Sequence, residues 1–468
     1  MIRILVTKYW VLAHLLLVAG TLSFAPTVSA WFGLWAAGSL LLFTRFLPPV
    51  LKGESFWSAR ARVSHALGRD VVLWALLLAA LYVGVGLFNG PRALVLDLSS
   101  VDLMDLSAKP QWIYTAPKMP FAPSSVNPAE GVPFFVGLLG GLACAVAVRT
   151  ALPRGQRLLA LVGLGLLAGV AALGAIVVGK VTGAAPTLAL LGGVGGASAL
   201  WLMLFCVCLG VVAEAFLEGR PVLCAAALLA ACLDALGVFA FGGALMVTVA
   251  GVLAVVWVLF AGFTVHASGR GPALLWHVVL MAPVAVAVFA GLALMPAGHS
   301  LTTLFGHEPL NAAWEAFSSQ WPFRQGLAAS VLDLNPMLGL GPNGFAHFAE
   351  LVIPESDAAA WGLWEAGGTA LPNDFMRLLV ERGLIGAILL LLPGCAMLGR
   401  CVMRGVSIAQ NRTHTLRYRY VFVFAGSLVG VVSMLAMSLI GAPLHAPAPL
   451  CAFLIVCACM AGWMPRPR

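Results

Sequence analysis

The residues whose types and spacing can do chemistry gather between positions 321 and 390. Arg324 follows Trp321-Pro322-Phe323 and opens an apolar helical run to Asp333. A glycine-rich turn comes next, Asn335-Pro336-Met337-Leu338-Gly339-Leu340-Gly341-Pro342-Asn343-Gly344-Phe345. Further on, Leu371-Pro372-Asn373-Asp374 precedes a second helical stretch carrying Arg377, Glu381, Arg382 and Gly383. Arg377 and Glu381 are four apart and so share a helix face, which makes them either a plain surface ion pair or an oriented one. A guanidinium is a planar fork that binds paired oxyanion oxygens, and Asn373 and Asp374 are good helix N-caps.

The elements that must position these residues follow from composition. The chain has 468 residues, of which 61% are hydrophobic and 9% charged. Soluble domains run at about 25% charged, so a soluble globular protein is excluded. A hydrocarbon core about 30 Å thick takes about 20 apolar residues per helix. Apolar runs predict twelve spans, at about 9–25, 27–44, 71–89, 133–148, 158–179, 187–213, 221–238, 243–264, 273–296, 383–399, 420–440 and 447–464. The predicted class is therefore an all-α polytopic membrane protein of about twelve transmembrane helices. Most of the Lys and Arg residues fall on one side if both termini are cytoplasmic, and the opposite segments are net acidic. The net charge of +8 is thus a topology signal and gives no support to nucleic-acid binding. Residues 1–296 hold spans one to nine, with a minor outside loop at about 90–132. Residues 297–382 form a large outside loop, and 383–468 hold spans ten to twelve. The proline-rich minor loop reads as an ordered cap with one short helix in the amphiphilic stretch 94–106. The four tryptophans of the large loop, Trp314, Trp321, Trp361 and Trp364, suit an interface belt or sugar stacking.

Other patterns carry less. The stretch 339–344 matches G-x-G-x-x-G, but a dinucleotide site needs a strand before it and a helix after it in a βαβ unit, and Pro342 interrupts this copy. The ten cysteines lie in or beside predicted spans and read as small apolar residues rather than metal ligands or a disulfide framework. Asp234 is the one acid deep within a span; His14 and His277 also fall at span positions. Few polar groups line the spans, which weighs against a transporter or lipid-linked glycan flippase, the rival from another class.

The stretch 321–390 resembles the signature region of the O-antigen ligase and O-antigen polymerase superfamily. There an Arg opens a helix, an NPLLGxGxGxF turn follows, and a helix of the form HN-x-F-L-x-L-L-x-E-x-G-L-x-G leads into the membrane. The tail Ser438-Leu439-Ile440-Gly441-Ala442-Pro443-Leu444 is similar to the family's ending. The strict motif covers about 70 residues, and the span count with a large loop before the tenth span extends the likeness to the whole GT-C-like architecture.

The resemblance implies a metal-independent, inverting glycosyltransferase of the bacterial inner membrane with its active site facing the periplasm and no cofactor. The donor is a glycan linked through diphosphate to undecaprenol; the acceptor is a growing glycan or lipid A-core; a chain-length regulator is a further partner. Arg324 takes the position of the loop arginine that grips diphosphate. Lys180 stands in for the second basic residue supplied by an earlier loop, or else is a snorkelling anchor, and Arg92 is a weaker candidate. Glu381 stands at the family glutamate and orients Arg377 or Arg324. Gly339, Gly341, Asn373 and Arg382 complete the substrate-binding set. One departure is specific: the ligases' histidine, read as general base, is here Pro372, so activation comes from elsewhere, from His299, His307, His347 or Glu381, or else acid–base help is minor. That departure leans the expectation to polysaccharide polymerisation, with ligation to lipid A-core the close alternative.

Overall fold

A computed structural model of the chain describes residues 71–91, 94–97, 111–114, 117–126, 128–182, 193–241, 322–342, 344–353, 371, 373–410, 420–439 and 441–462, with isolated positions near 35–38 and at 360. Helices form where the apolar runs predict them: α1 (Val71–Phe88), α2 (Pro128–Ala151), α3 (Arg154–Thr182), α4 (Gly193–Leu217) and α5 (Pro221–Phe241). A helix at 322–332 (α6), α7 (Gly344–Val352), α8 (Asp374–Gln410), α9 (Val421–Met437) and α10 (Pro447–Gly462) follow. Four stretches, Gly131–Thr150, Gly155–Val178, Gly196–Phe216 and Pro221–Phe241, are long and apolar enough to cross a membrane, and three shorter apolar helices accompany them. The protein is a multi-pass membrane protein. The predicted spans at 9–25, 243–264 and 273–296, and all but isolated positions of that at 27–44, lie outside the described residues.

The short helix expected in the stretch 94–106 needs correction. Leu94–Asp97 is a strand (β1), not part of a short helix, and it pairs antiparallel with Gln111–Tyr114 (β2), Val95 opposite Ile113 and Leu96 opposite Trp112. Amphiphilicity over four residues fits either period, and the β-branched and aromatic partners across the ladder decide it.

The chain forms two compact units. The first comprises Met1–Asp70, Val136–Ala316 and Cys395–Arg468, and the second Val71–Phe135 and Phe317–Gly394. In the first, α4 is buried along nearly its whole length, with α3, α5, α9 and α10 around it. Glycine sets how closely α4 and α9 approach: a Cβ on Gly210 would stand 2.6 Å from the Phe422 carbonyl oxygen, and one on Gly426 2.6 Å from that of Cys206. Polar side chains of this unit close helix ends. The buried Glu214 of α4 accepts the Tyr420 N–H (2.6 Å) and the Phe422 N–H (3.3 Å) at the start of α9. Arg157 donates to the carbonyls of Leu152 (3.0 Å) and Arg149 (3.1 Å) at the end of α2. The Trp201 indole donates to Ala168 of α3 (2.9 Å).

The second unit has its own core: Leu327, Ala328 and Val331 of α6, Leu340 of the turn, Phe345 and Ala349 of α7, and Val380 of α8. Asn89, fully buried after α1, ties down the segment that follows. Its amide nitrogen donates to the carbonyls of Met119 (2.8 Å), Ala122 (3.1 Å) and Pro123 (3.0 Å), and its oxygen accepts the Met119 N–H (2.8 Å). That leaves Ser124 and Ser125 lying against Gly341, where a Cβ would meet their backbone.

Candidate functional site

The two chemistry-bearing stretches are joined backbone to backbone. At Gly383 (φ 65°, ψ −178°) α8 breaks, and the carbonyls just before the break leave their own helix. Val380 and Glu381 accept the N–H groups of Leu340 (3.0 Å) and Gly341 (2.8 Å). In return, Leu384 and Ile385, just after the break, donate to Pro336 (2.9 Å) and Met337 (3.1 Å). The exchange satisfies the donors and acceptors that a broken helix would otherwise strand. It demands two glycines face to face: the Gly339 and Gly383 amide nitrogens each lie where the other's Cβ would be, and both residues have positive φ.

Asn335 and Tyr82 lock this clasp. Asn335 donates to the Gly339 carbonyl (3.1 Å) and, through its side-chain oxygen, accepts the Leu338 N–H (3.4 Å). The Tyr82 hydroxyl of α1 stands between the carbonyls of Arg382 (2.9 Å) and Leu338 (3.1 Å), one from each stretch, and shares its single proton between them. Sequence reasoning passed over Tyr82. The available signal was a phenol within an apolar run, in a chain with five tyrosines, since a buried phenol seeks an acceptor.

On α8, Asn373 caps as predicted: it is buried, and its side-chain oxygen accepts the Met376 N–H (2.7 Å). Arg377 Nε lies 2.8 Å from Glu381 Oε1, with the two side chains 15% and 7% exposed. The pair is therefore mostly buried rather than the surface pair its spacing alone would describe, and removing either partner leaves a charge in a poor solvent. Arg382 is 4% exposed, and its guanidinium carbon lies 5.5 Å from the centre of the Phe134 ring of α2. Burial pushes its pKa below the ordinary arginine value, the Glu381 carboxylate opposes that shift, and the group remains a cation.

The predicted site residues Arg324, Gly339, Gly341, Asn373, Arg377, Glu381 and Arg382 all belong to the second unit. Arg324 is half-buried on α6, whose Leu327, Ala328 and Val331 pack in the same core as Leu340 and Val380. The Gly339 and Gly341 amides donate to Asn335 (3.0 Å) and Glu381, so within this site they shape the turn. Lys180 lies in the last turns of α3, in the first unit, and its side chain is outside the described residues. Of the candidate bases, His347 is carried on α7, its side chain outside the described residues, as are Pro372, His299 and His307 altogether; Arg92 and the four loop tryptophans are outside them too. Among the described residues, no group of three or more His, Cys, Asp or Glu side chains could hold a metal ion. No protein-family model matches the chain, and no curated protein matches it.

Proposed function

We propose that the protein is a membrane glycosyltransferase that moves a glycan from a polyprenyl-diphosphate carrier to an acceptor hydroxyl at the outer face of the bacterial inner membrane, in polymerisation of a surface polysaccharide. One observation carries the reading: the two stretches that bear the O-antigen ligase and polymerase resemblance, far apart in the chain, are hydrogen-bonded to each other residue by residue through the clasp at Gly383.

In the proposed reaction the acceptor oxygen forms a bond to the anomeric carbon as the bond from that carbon to the diphosphate oxygen breaks. The electron pair leaves with the lipid diphosphate, and the acceptor's proton passes to a base. Attack from the face opposite the leaving group inverts the centre. Charge accumulates on the diphosphate, so arginines are the groups the step needs most. Arg324 and Arg377 fill that role, and Glu381, held 2.8 Å from Arg377, orients it. With Glu381 engaged in holding Arg377, proton removal falls to a histidine of the loop; His347 of α7 is the choice in the second unit. Pro372 at the ligases' histidine position favours polymerisation over ligation.

The test is Arg324→Ala, assayed in cells lacking the native protein and in vitro with purified lipid-linked donor. The variant should lose product by a hundredfold or more while reaching the membrane at normal level. Polymer of normal length and yield from it would overturn the proposal.

A further inference from the structure

The turn at 117–123, in the minor loop after α1, is built unlike a water-facing loop. Its residues are Pro117-Lys118-Met119-Pro120-Phe121-Ala122-Pro123, with one basic side chain and no acid. Phe121 at the tip is 82% exposed, and Met119 is 39% exposed. The backbone offers water few donors. Pro117, Pro120 and Pro123 have no N–H to offer. Lys118 donates to the Gly90 carbonyl (3.3 Å), Met119 to the Asn89 side-chain oxygen (2.8 Å) and Ala122 to the Met119 carbonyl (3.2 Å). Among the described residues, the Phe121 N–H is the one donor of this backbone left without a protein acceptor. Apolar side chains turned outward over a backbone whose donors are already used suit a surrounding of lipid better than one of water.

Asn89 fixes the height of this turn. It directly follows Phe88, the last residue of α1, and its amide nitrogen holds the carbonyls of Met119, Ala122 and Pro123. Along α1 the exposed residues Leu77, Leu78, Leu81 and Phe88 recur at helical spacing and form one apolar stripe. On a helix of a multi-pass membrane protein, such a stripe faces lipid. Phe88, 83% exposed, ends the stripe, and the turn is hydrogen-bonded to the residue after it. The turn therefore stands where a lipid-facing helix stops, at the boundary between hydrocarbon and headgroups. Aromatic rings and lysines both suit that level, the ring toward the acyl chains and the ammonium among the phosphates.

We propose that the turn 117–123 is a foot set into the bilayer interface where α1 ends, with Phe121 and Met119 among the upper acyl chains and Lys118 paired with lipid phosphate. The free Phe121 N–H limits the depth. An unpaired donor is costly in hydrocarbon, so the tip stops at the headgroup boundary, about 5–10 Å deep. The foot bears on the candidate site through the residues that follow it. Ser124 and Ser125 are buried against Gly341 of the glycine-rich turn, so the foot sets the height of that turn relative to the membrane. The inference stands on the geometry of the loop and does not rest on the glycosyl-transfer reading.

The test places a nitrobenzoxadiazole label on Phe121→Cys in the full-length protein in nanodiscs, with the unsubstituted protein labelled in parallel to give the signal of the native cysteines. Doxyl groups high on the lipid acyl chains should quench the label at least about threefold more strongly than doxyl groups near the chain ends or aqueous iodide. Met119→Cys, labelled in the same way, should rank the quenchers in the same order and covers the case in which the first label disturbs the turn. Lys118→Glu, in nanodiscs of phosphatidylglycerol, should lower the quenching from the upper acyl chains about twofold. Strongest quenching by iodide would put the turn in water, and a label that no quencher reaches would put it under a second copy of the chain or another protein segment. Either result overturns the foot, and quenching unchanged by Lys118→Glu overturns the phosphate pairing. None of these readouts measures glycan transfer, so failure of the transferase leaves them intact, and failure of the foot leaves the transferase.

Discussion

In the first unit, charged side chains close helix ends; in the second, they gather in a buried cluster on one helix. Glu214 accepts two N–H groups at the start of α9, and Arg157 caps the end of α2. In the second unit the corresponding backbone work falls to neutral groups. Asn89, Asn335, Asn373 and Tyr82 satisfy the turns and the cap, and the clasp at Gly383 satisfies the broken helix. Arg377, Glu381 and Arg382 are buried charged groups gathered beside that clasp, and a cluster of buried charge is where chemistry is to be sought.

The sharpest way to break the contrast is at Gly383. Its φ and ψ belong to a region open essentially to glycine alone, and any Cβ there meets the Gly339 nitrogen and the Met337 backbone. Gly383→Val should cost about 3 kcal/mol or more, and should abolish transfer even in molecules that remain folded, because the arginines lose their register. The check is glycan transfer per folded molecule together with thermal unfolding. Retained activity would show that the clasp does not position the site.

A smaller effect is expected at Glu214. Glu214→Ala leaves two buried N–H groups without their acceptor and should destabilise the protein by about 2–4 kcal/mol, read as a lower Tm. Transfer per folded molecule should stay within about twofold of the wild type, as it would for a helix-capping carboxylate. Equal losses of activity in Glu214→Ala and Gly383→Val would erase the difference between the units.

The sequence reaches some of these features and misses others for physical reasons. Apolar runs locate α1 to α5 and α8 to α10 because a membrane helix announces itself by length and hydropathy. The i, i+4 spacing of Arg377 and Glu381, and the capping types at Asn373, are local signals that survive folding. The clasp is not local. Gly383 reads as an ordinary helix glycine until Gly339, over forty residues earlier, is placed against it, and the burial of the ion pair follows from that placement rather than from its spacing. Phe134 under Arg382 lies farther still along the chain. The ribbon at Leu94–Asp97 was missed because four amphiphilic residues carry no decisive period, and the partner strand alone settles it.

Asp234 is the residue that puts the comparison at most risk, because it is a charged type in the first unit with no structural duty. It lies in α5, fully buried, both oxygens without a hydrogen-bond partner, in a seam where a Cβ on Gly165 would stand 2.6 Å from Cys208 Sγ and 3.0 Å from Asp234 Oδ2. Two accounts compete. If the carboxyl serves a proton or ion path, its acidity is essential and Asp234→Asn must remove the function. If the first unit is scaffold, the amide fills the same volume without a charge to desolvate, and the substitution should change stability by less than about 1 kcal/mol. The packing favours the second account: α3 approaches α5 closely at Gly165 and Gly169, where an added Cβ would meet Asp234 and Leu233. Asp234→Asn should therefore transfer glycan at the wild-type rate across the pH range, with Tm unchanged or slightly raised. A pH-dependent loss of activity in that variant would make the first unit a seat of chemistry as well.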